Sequence, residues 1–553
     1  MVSRFISAVQ KKYSSVTEAA FVISFFTLMS QILGVVRDRL FSYYIGPGIN
    51  LDVYLAAFRV PDFLYVILST LISATILIPL LSKSDETESN KINTIFSFFI
   101  LATVVLSVLT MICMPFIAHF VAPGFSDYDT HRLILLSRIM LISPIILGIS
   151  NFIGSVNQYY KKFFGYALAP VMYNVGIIIG IVFFYRFFGI LGLGFGVLAG
   201  AVLHFLTQII VYSSSSYTLT FVKIKDFSFI KEILKISIPR TATLSLSALL
   251  FIIMISIISF LKPGTISLTT FALNIASVPL GLIGVPFATA SFPYLVTLFK
   301  NKNTEVHFVI EETLQKIIFW TIVSSAVFIV FRAHIVRIIL GTKLFTWEDT
   351  SVTAALVMIF LIGIVFQALN QFFIRIYYAV NNTKKPLTIS LFGFLTTIVL
   401  LLIFKLFFSV STIIPAHIAQ ILHVPIDSFA ILVFCLIYSI GMIVTFGIFV
   451  FHYVKDFKHN IYEFLFKKIG YSIIHATILA LLCKLFLHLF QDFTVSKTLI
   501  GILVQGGLSG LFGLIIWIVY LLVIKNEHVE FINKMTKQFF SSHKVILEET
   551  QDL

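Results

Sequence analysis

Stretches of about 18 or more apolar residues recur along nearly the whole chain, each long enough to carry an α-helix across a hydrocarbon layer. A helix that is apolar on every side must be surrounded by lipid or by other helices, so the repetition excludes most soluble architectures. A transmembrane barrel is excluded as well, because it would show segments of about ten residues alternating in polarity, whereas these runs are continuous. Charged residues fill only 12% of the 553 positions, about half of a soluble chain's share. The sequence therefore predicts an all-α polytopic membrane protein of about 14 transmembrane helices, with the first two near 18–36 and 60–82 and the last two near 469–490 and 498–524.

An even number of spans puts both termini on one side. Lys and Arg number roughly 24 in the termini and loops of that side and roughly 9 in the opposite loops, so both termini are predicted cytoplasmic, in the cytoplasmic (inner) membrane. The loop near 332–350 runs against this bias with Arg332, Arg337 and Lys343. The net charge of +14 is accounted for by these short loops and forms no compact patch, so no nucleic-acid partner is expected. Cys113, Cys435 and Cys483 show no paired spacing and read as small buried hydrophobes. The 13 histidines are scattered, and no nucleophile elbow, phosphate loop or His-Glu-x-x-His is present. The chain is not expected to be an enzyme, nor to carry a cofactor or metal. The first apolar run follows Arg4, Lys11 and Lys12 without a small-residue cleavage site and reads as retained.

An internal echo points to a two-lobed design. Pro47-Gly48 recurs as Pro263-Gly264, and Ala74-Thr75 with Pro79 recurs as Ala288-Thr289 with Pro293, at offsets of 214–216 residues. Six intervening spans make the copies parallel, and parallel repeats share a cavity at their interface. The expected organisation is an N-terminal lobe over 1–213, a cytoplasmic linker over 214–232 and a C-terminal lobe over 233–453. Two extra helices over 454–524 and a cytoplasmic tail over 525–553 follow.

Charge inside the first two spans is the sharpest functional signal. Between Ser30 and Lys83 the apolar run is broken by Arg37, Asp38, Asp52 and Arg59. A charge at helix centre costs roughly 2.5–3.5 kcal/mol on insertion, so such groups face a wet interior, and two guanidinium forks held by carboxylates suit phosphate oxygens. The competing account makes Arg37, Arg39 and Arg59 interfacial anchors. Arg375, close to Lys384 and Lys385, reads as such an anchor, while Asn151, Asn174, Gln208, Asn274 and Asn370 read as helix-to-helix hydrogen bonders. Gly192, Gly196 and Gly200 have the spacing of close helix packing. Arg240, Thr241, Thr243, Ser245 and Ser247 either line the cavity or bond back to their own helix.

The run Ser30-Gln-Ile-Leu-Gly-Val-Val-Arg-Asp38, then Asp52-Val-Tyr-Leu-Ala-Ala-Phe-Arg-Val-Pro-Asp-Phe-Leu64, resembles the opening signature of the MurJ (MviN) lipid II flippase family. Val121-Ala-Pro-Gly-Phe125, Ala169-Pro170 with Asn174, Pro279 to Val285 with Pro293, and Arg375 to Pro386 follow in the family's order. The resemblance covers about residues 20–450. It implies the fold of the multidrug/oligosaccharidyl-lipid/polysaccharide exporter superfamily: 14 helices, two six-helix lobes, two terminal helices shaping a groove for a polyprenyl tail, and a central cationic cavity. Carried over, Arg37 and Arg59 contact the diphosphate and sugar, Asp38 holds the arginines or gates, and Asp52 belongs to the same site. The expected partners are a lipid-linked diphosphate sugar and membrane lipids, with the protein acting as a monomer and the coupling ion left open. Gln31, Tyr65-Val66, Thr70-Leu71 and Asn274 depart from the family pattern, each replacing charge with a neutral group, apart from the glycine that Leu71 replaces. The readings left open are lipid II, another lipid-linked oligosaccharide, and a cation-coupled drug or metabolite antiporter.

Overall fold

The computed structural model describes residues 16–71, 88–212, 219–223, 228–302, 304–408, 428–491 and 498–528. Most of the described residues lie in helices: α1 Val16–Tyr44, α2 Ile49–Leu71, α3 Glu88–Val121, α4 Asp127–Met140, α5 Ser143–Tyr159, α6 Phe163–Ile179, α7 Tyr185–Phe188, α8 Ile190–Tyr212 and α9 Ser228–Ile258. They continue with α10 Thr265–Ala276, α11 Val285–Lys300, α12 Val306–Leu340, α13 Trp347–Ala379, α14 Lys384–Phe408, α15 Phe429–Phe457, α16 Tyr462–Leu489 and α17 Leu499–Val523. Wider π-helical turns over Gly180–Phe184 and Leu280–Gly284 join α6 to α7 and α10 to α11. Among the described residues twelve stretches are long and apolar enough to cross a membrane, and with the charge-bearing helices α1 and α2 they match the 14 expected from hydropathy.

Burial separates the centre from the rim. In α13, 78% of the apolar window is buried, against 22% in α17, so α13 is a core helix and α17 offers most of its surface to lipid. A capping box between Thr346 and Asp349 starts α13 at an exposed turn, satisfying first-turn amides that have no partner within the helix. Helices α10, α11, α12 and α15 pack around α13. Helices α16 and α17 attach through α12, with Trp517 donating to the carbonyl of His475 at 3.0 Å over Phe319.

The glycine stripe is structural. A Cβ at Gly176 would fall on the backbone of Gly200, and one at Gly180 on that of Gly196, so α6 and α8 touch main chain to main chain. Gly176→Val is expected to destabilise the fold by about 1–3 kcal/mol through overpacking, read as a lower thermal midpoint in detergent. Gly447→Ala, at a position with nothing within 4 Å, should show no such loss.

Several sequence expectations are settled locally. Of the expected loop near 332–350, residues up to Leu340 are helical: Arg337 stands in the last turn of α12, donates to the carbonyl of Phe345 at 2.9 Å and lies 4.5 Å over Trp347. Arg39 donates to the carbonyls of Ile338 and Ile339 at the end of α12, so it is a helix-end cap rather than a headgroup anchor. Cys435 and Cys483 are buried, but Cys113 is exposed on α3, because its side chain points away from the bundle; the expectation of burial fails there. Within the linker, Thr220 and Val222 hydrogen-bond to Asn93 and Ser97 of α3. Ala74, Thr75 and Pro79 of the first repeat copy, and the tail beyond His528, lie outside the described residues.

Candidate functional site

Three of the four expected site residues come together where α1, α2 and α10 meet. Arg37 pairs with its neighbour Asp38 through Nη2 at 2.9 Å and Nε at 3.1 Å. The other oxygen of Asp38 accepts from Asn274 Nδ2 at 2.8 Å, so the pair bridges to the second half of the chain. Asn174 closes the other flank, accepting from Arg37 at 3.4 Å and donating to Ser30 at 3.1 Å. Arg59 lies 4.3 Å over the ring of Phe251 and reaches Thr270 at 3.4 Å, a weak contact. Its Nε is buried with no hydrogen-bond partner among the described residues. Tyr54 sits within electrostatic reach of Arg37, Asp38 and Arg59, which marks them as one cluster.

Asp52 is not part of that cluster. It stands two helical turns before Arg59 on α2, about 10 Å along the axis. Its carboxylate accepts from the backbone N–H of Gly264 at 2.6 Å, from that of Ser267 at 2.8 Å and from Ser267 Oγ at 2.5 Å. No side chain of its own caps the start of α10, so Asp52 reaches across and satisfies these amides. The Pro47-Gly48 and Pro263-Gly264 turns abut at the same place: Gly264 has φ +96°, and its Cβ position would lie 3.3 Å from the nitrogen of Gly48. Both carboxylate oxygens are thus engaged in the clamp, beside a cavity of about 400 Å³ that Asp52 lines with Ile49, Gly124 and Ile266.

Further residues join the site that sequence reading did not single out as candidates. Asp62, one turn beyond Arg59 and in electrostatic reach of it, lines a cavity of about 120 Å³ with Tyr65, Tyr173 and His204. Tyr65 accepts from Asn151 at 3.0 Å, and His204 meets Ser150 at 2.7 Å. The signal for Asp62 lay in the run itself, a third carboxylate in an apolar stretch. Gln31 is wedged against Gly281 in the second π turn, where a Cβ would lie 2.7 Å from its amide nitrogen. Thr70 joins Thr241 of α9 at 2.9 Å, tying the far end of α2 to the second half of the chain. Gln208 and Asn370 make the helix-to-helix bonds expected of them, with Asn157 and the carbonyl of Met442. Thr243 and Ser247 do both things weighed for them, bonding back to Pro239 and Leu244 while lining a cavity against Gln367, Asn370 and Ser390. Arg375, read from sequence as a headgroup anchor, donates from Nη2 to Thr289 at 2.9 Å and lines a cavity with Arg240 and Tyr378.

A helical bundle of this kind, with paired guanidinium and carboxylate groups held inside it and tied at both ends of α2, defines a multi-pass membrane transporter rather than an enzyme. The model of the family described as lipid II flippase MurJ matches residues 41–503, and the chain belongs to that family. A lipid II flippase MurJ of Thermosipho africanus is 28% identical over 464 residues, covering 82% of this chain and 93% of that one. A probable lipid II flippase MurJ of Borreliella burgdorferi is 25% identical over 376 residues, covering 66% and 73%. Among solved structures, a lipid II flippase MurJ in an inward closed conformation superposes with a TM-score of 0.71 at 24% identity, covering 92% of this chain and all of that one. An inward-facing multidrug transporter of the MATE family superposes with a TM-score of 0.62 at 15% identity over 78% of this chain, a likeness of fold.

Proposed function

We propose that this protein moves lipid II, a polyprenyl-diphosphate-linked precursor of peptidoglycan, from the inner to the outer leaflet of the cytoplasmic membrane by alternating access. Membership of the flippase family supports the substrate, and the Arg37–Asp38–Arg59 cluster supports the grip. The single observation that carries the reading is the state of Arg59, a guanidinium held inside the bundle whose buried Nε has no hydrogen-bond partner among the described residues, next in sequence to Phe58 on the wall of the Asp62 cavity. A cation so placed is a standing site for an anion, and its fork matches phosphate oxygens better than an ammonium would.

In this reading the bundle works as two lobes, 1–213 and 233–453, joined by the linker over 214–232, with α16 and α17 bordering the polyprenyl tail. Both termini are cytoplasmic, and the protein acts as a monomer. Asp52 with Gly264 and Ser267 closes the outer end, while Thr70 with Thr241 closes the inner one. Both sets are made in this structure; rocking opens one while the other holds, and the sugar passes through while the tail stays in lipid. Arg37, Asp38, Arg59 and Asp62 sum to zero charge. The empty cluster therefore gains little from the membrane potential, which is worth about 2.3 kcal/mol per elementary charge per 100 mV.

The test is reconstitution in vesicles carrying lipid II, scored by a headgroup-modifying enzyme that reaches only the outer face. The intact protein is expected to raise outer-face exposure of lipid II above empty vesicles. Exposure of a different lipid-linked sugar in its place would move the substrate. Indifference to every such lipid, together with drug resistance conferred on cells, would move the protein to the antiporter class.

A further inference from the structure

A second pair of arginines faces a cavity that the central cluster does not use. Arg240 of α9 and Arg375 of α13 line a space of about 270 Å³ with Ser69 and Thr70 of α2, Thr289 of α11, and Tyr378. Thr70 stands roughly 16 Å beyond Arg59 along α2, so this cavity lies at the end of the bundle opposite the Asp52 clamp. Arg240 sits 5.0 Å over the ring of Tyr378, and Arg375 is anchored on Thr289 at 2.9 Å. Arg240 Nε and Arg375 Nη1 are buried, with no hydrogen-bond partner among the described residues. None of the residues lining the cavity is acidic, and neither arginine belongs to an ion pair among the described residues.

Two half-buried guanidinium groups that share one cavity repel each other, and no counter-ion among the described residues offsets this, so the cavity favours an incoming anion. The Ser69, Thr70 and Thr289 hydroxyls beside them bond back to Val66 and Val285 of their own helices, so the donors free for phosphate oxygens are the two guanidinium forks. We propose that Arg240 and Arg375 form a receiving site for the diphosphate of the lipid-linked substrate, occupied before it reaches Arg37 and Arg59; this rests on the flippase reading above. The Thr70–Thr241 hydrogen bond crosses between α2 and α9 beside the site, on the residue next to Arg240. An anion drawing Arg240 toward Thr70 therefore acts on the contact that holds this end closed. The site also gives a physical sense to the neutral residues of the central cavity: cationic attraction is placed at the mouth, and a charge-balanced centre lets the headgroup leave.

Full-length protein in nanodiscs is titrated with undecaprenyl diphosphate and, separately, with inorganic pyrophosphate, in zwitterionic and in phosphatidylglycerol bilayers. Binding is compared among the parent, Arg240→Gln with Arg375→Gln, the two Lys variants, and Arg37→Ala. Removing both guanidiniums is expected to weaken undecaprenyl diphosphate binding by about tenfold or more, with the Lys pair recovering part of it and thermal midpoints unchanged. Competition by inorganic pyrophosphate supports recognition of the diphosphate itself. If the Gln pair binds and transports lipid II as the parent does, the receiving site is rejected and the flippase reading stands. If the two arginines respond only to phosphatidylglycerol, they are lipid anchors and the proposal falls. If the parent exposes no lipid-linked diphosphate in vesicles, the flippase reading fails first, whatever the arginines bind.

Discussion

Arg37→Ala is expected to yield a chain that inserts normally but no longer supports growth of cells depleted of their own lipid II flippase. Exposure of lipid II in vesicles should fall by about tenfold to a hundredfold, the equivalent of losing one charge-assisted hydrogen bond to a phosphate, about 1.5–3 kcal/mol. Two effects are combined in that substitution. It removes a fork from the substrate, and it leaves the Asp38 carboxylate inside the bundle with Asn274 as its remaining hydrogen-bond partner. Asp38→Asn in the same chain separates them: the double variant should recover most of the thermal midpoint and none of the transport. Arg37→Lys keeps the charge and loses the two-pronged contact with Asp38, so it belongs between parent and Ala in both assays. Normal growth with Arg37→Ala at parental abundance would show that the cluster is structural, and the proposed grip would go with it.

The span count and the Arg37–Asp38 pair are legible in the sequence for one reason: hydrocarbon penalises every charge and every open amide, so each exception marks an inward face. Asn274 is visible as a departure but not as the partner of Asp38, since 236 residues separate them. Asp52 shows the limit more sharply. It lies on nearly the same face of α2 as Arg59, which invites grouping them, yet its contacts at Gly264 and Ser267 are 212 and 215 residues away. The paired Pro-Gly turns did carry a hint, because the two copies meet at that clamp. Arg240 and Arg375 each sit near lysines at helix ends, where an arginine ordinarily reaches for headgroups; only the packing of α2, α9, α11 and α13 brings both to one cavity. The Asp62 cavity is hidden for a similar reason, as His204 and Tyr173 reach it from two other helices.

Asp52→Ala is expected to open the end of the bundle that this carboxylate holds shut. In the closed state the carboxylate is 2% exposed and accepts three hydrogen bonds from across the helix boundary, and none of these survives separation of the Pro47-Gly48 and Pro263-Gly264 turns. The substitution therefore weakens the closed state and leaves the open one untouched, whose amides meet water. Losing about 2–4 kcal/mol of charge-assisted bonding shifts the closed-to-open ratio by roughly 30-fold to several hundredfold. Asp52→Asn keeps one acceptor but turns an amide nitrogen toward a backbone N–H, so it should open this end too, to a lesser degree. A cysteine in place of Ile266, which is 1% exposed beside the clamp, reports the change in cells. With Cys113 replaced by Ala, a membrane-impermeant maleimide should label Ile266→Cys slowly when Asp52 is present and at least tenfold faster when it is Ala, in line with that population shift. Turnover of lipid II should fall in the same variant, because a bundle resting open on one side rarely presents its inner mouth. Equal labelling rates with and without Asp52 would make the clamp a passive helix cap, and the outer gate would then have to be sought elsewhere, beginning with the bond between Ser259 and the backbone of Gly124.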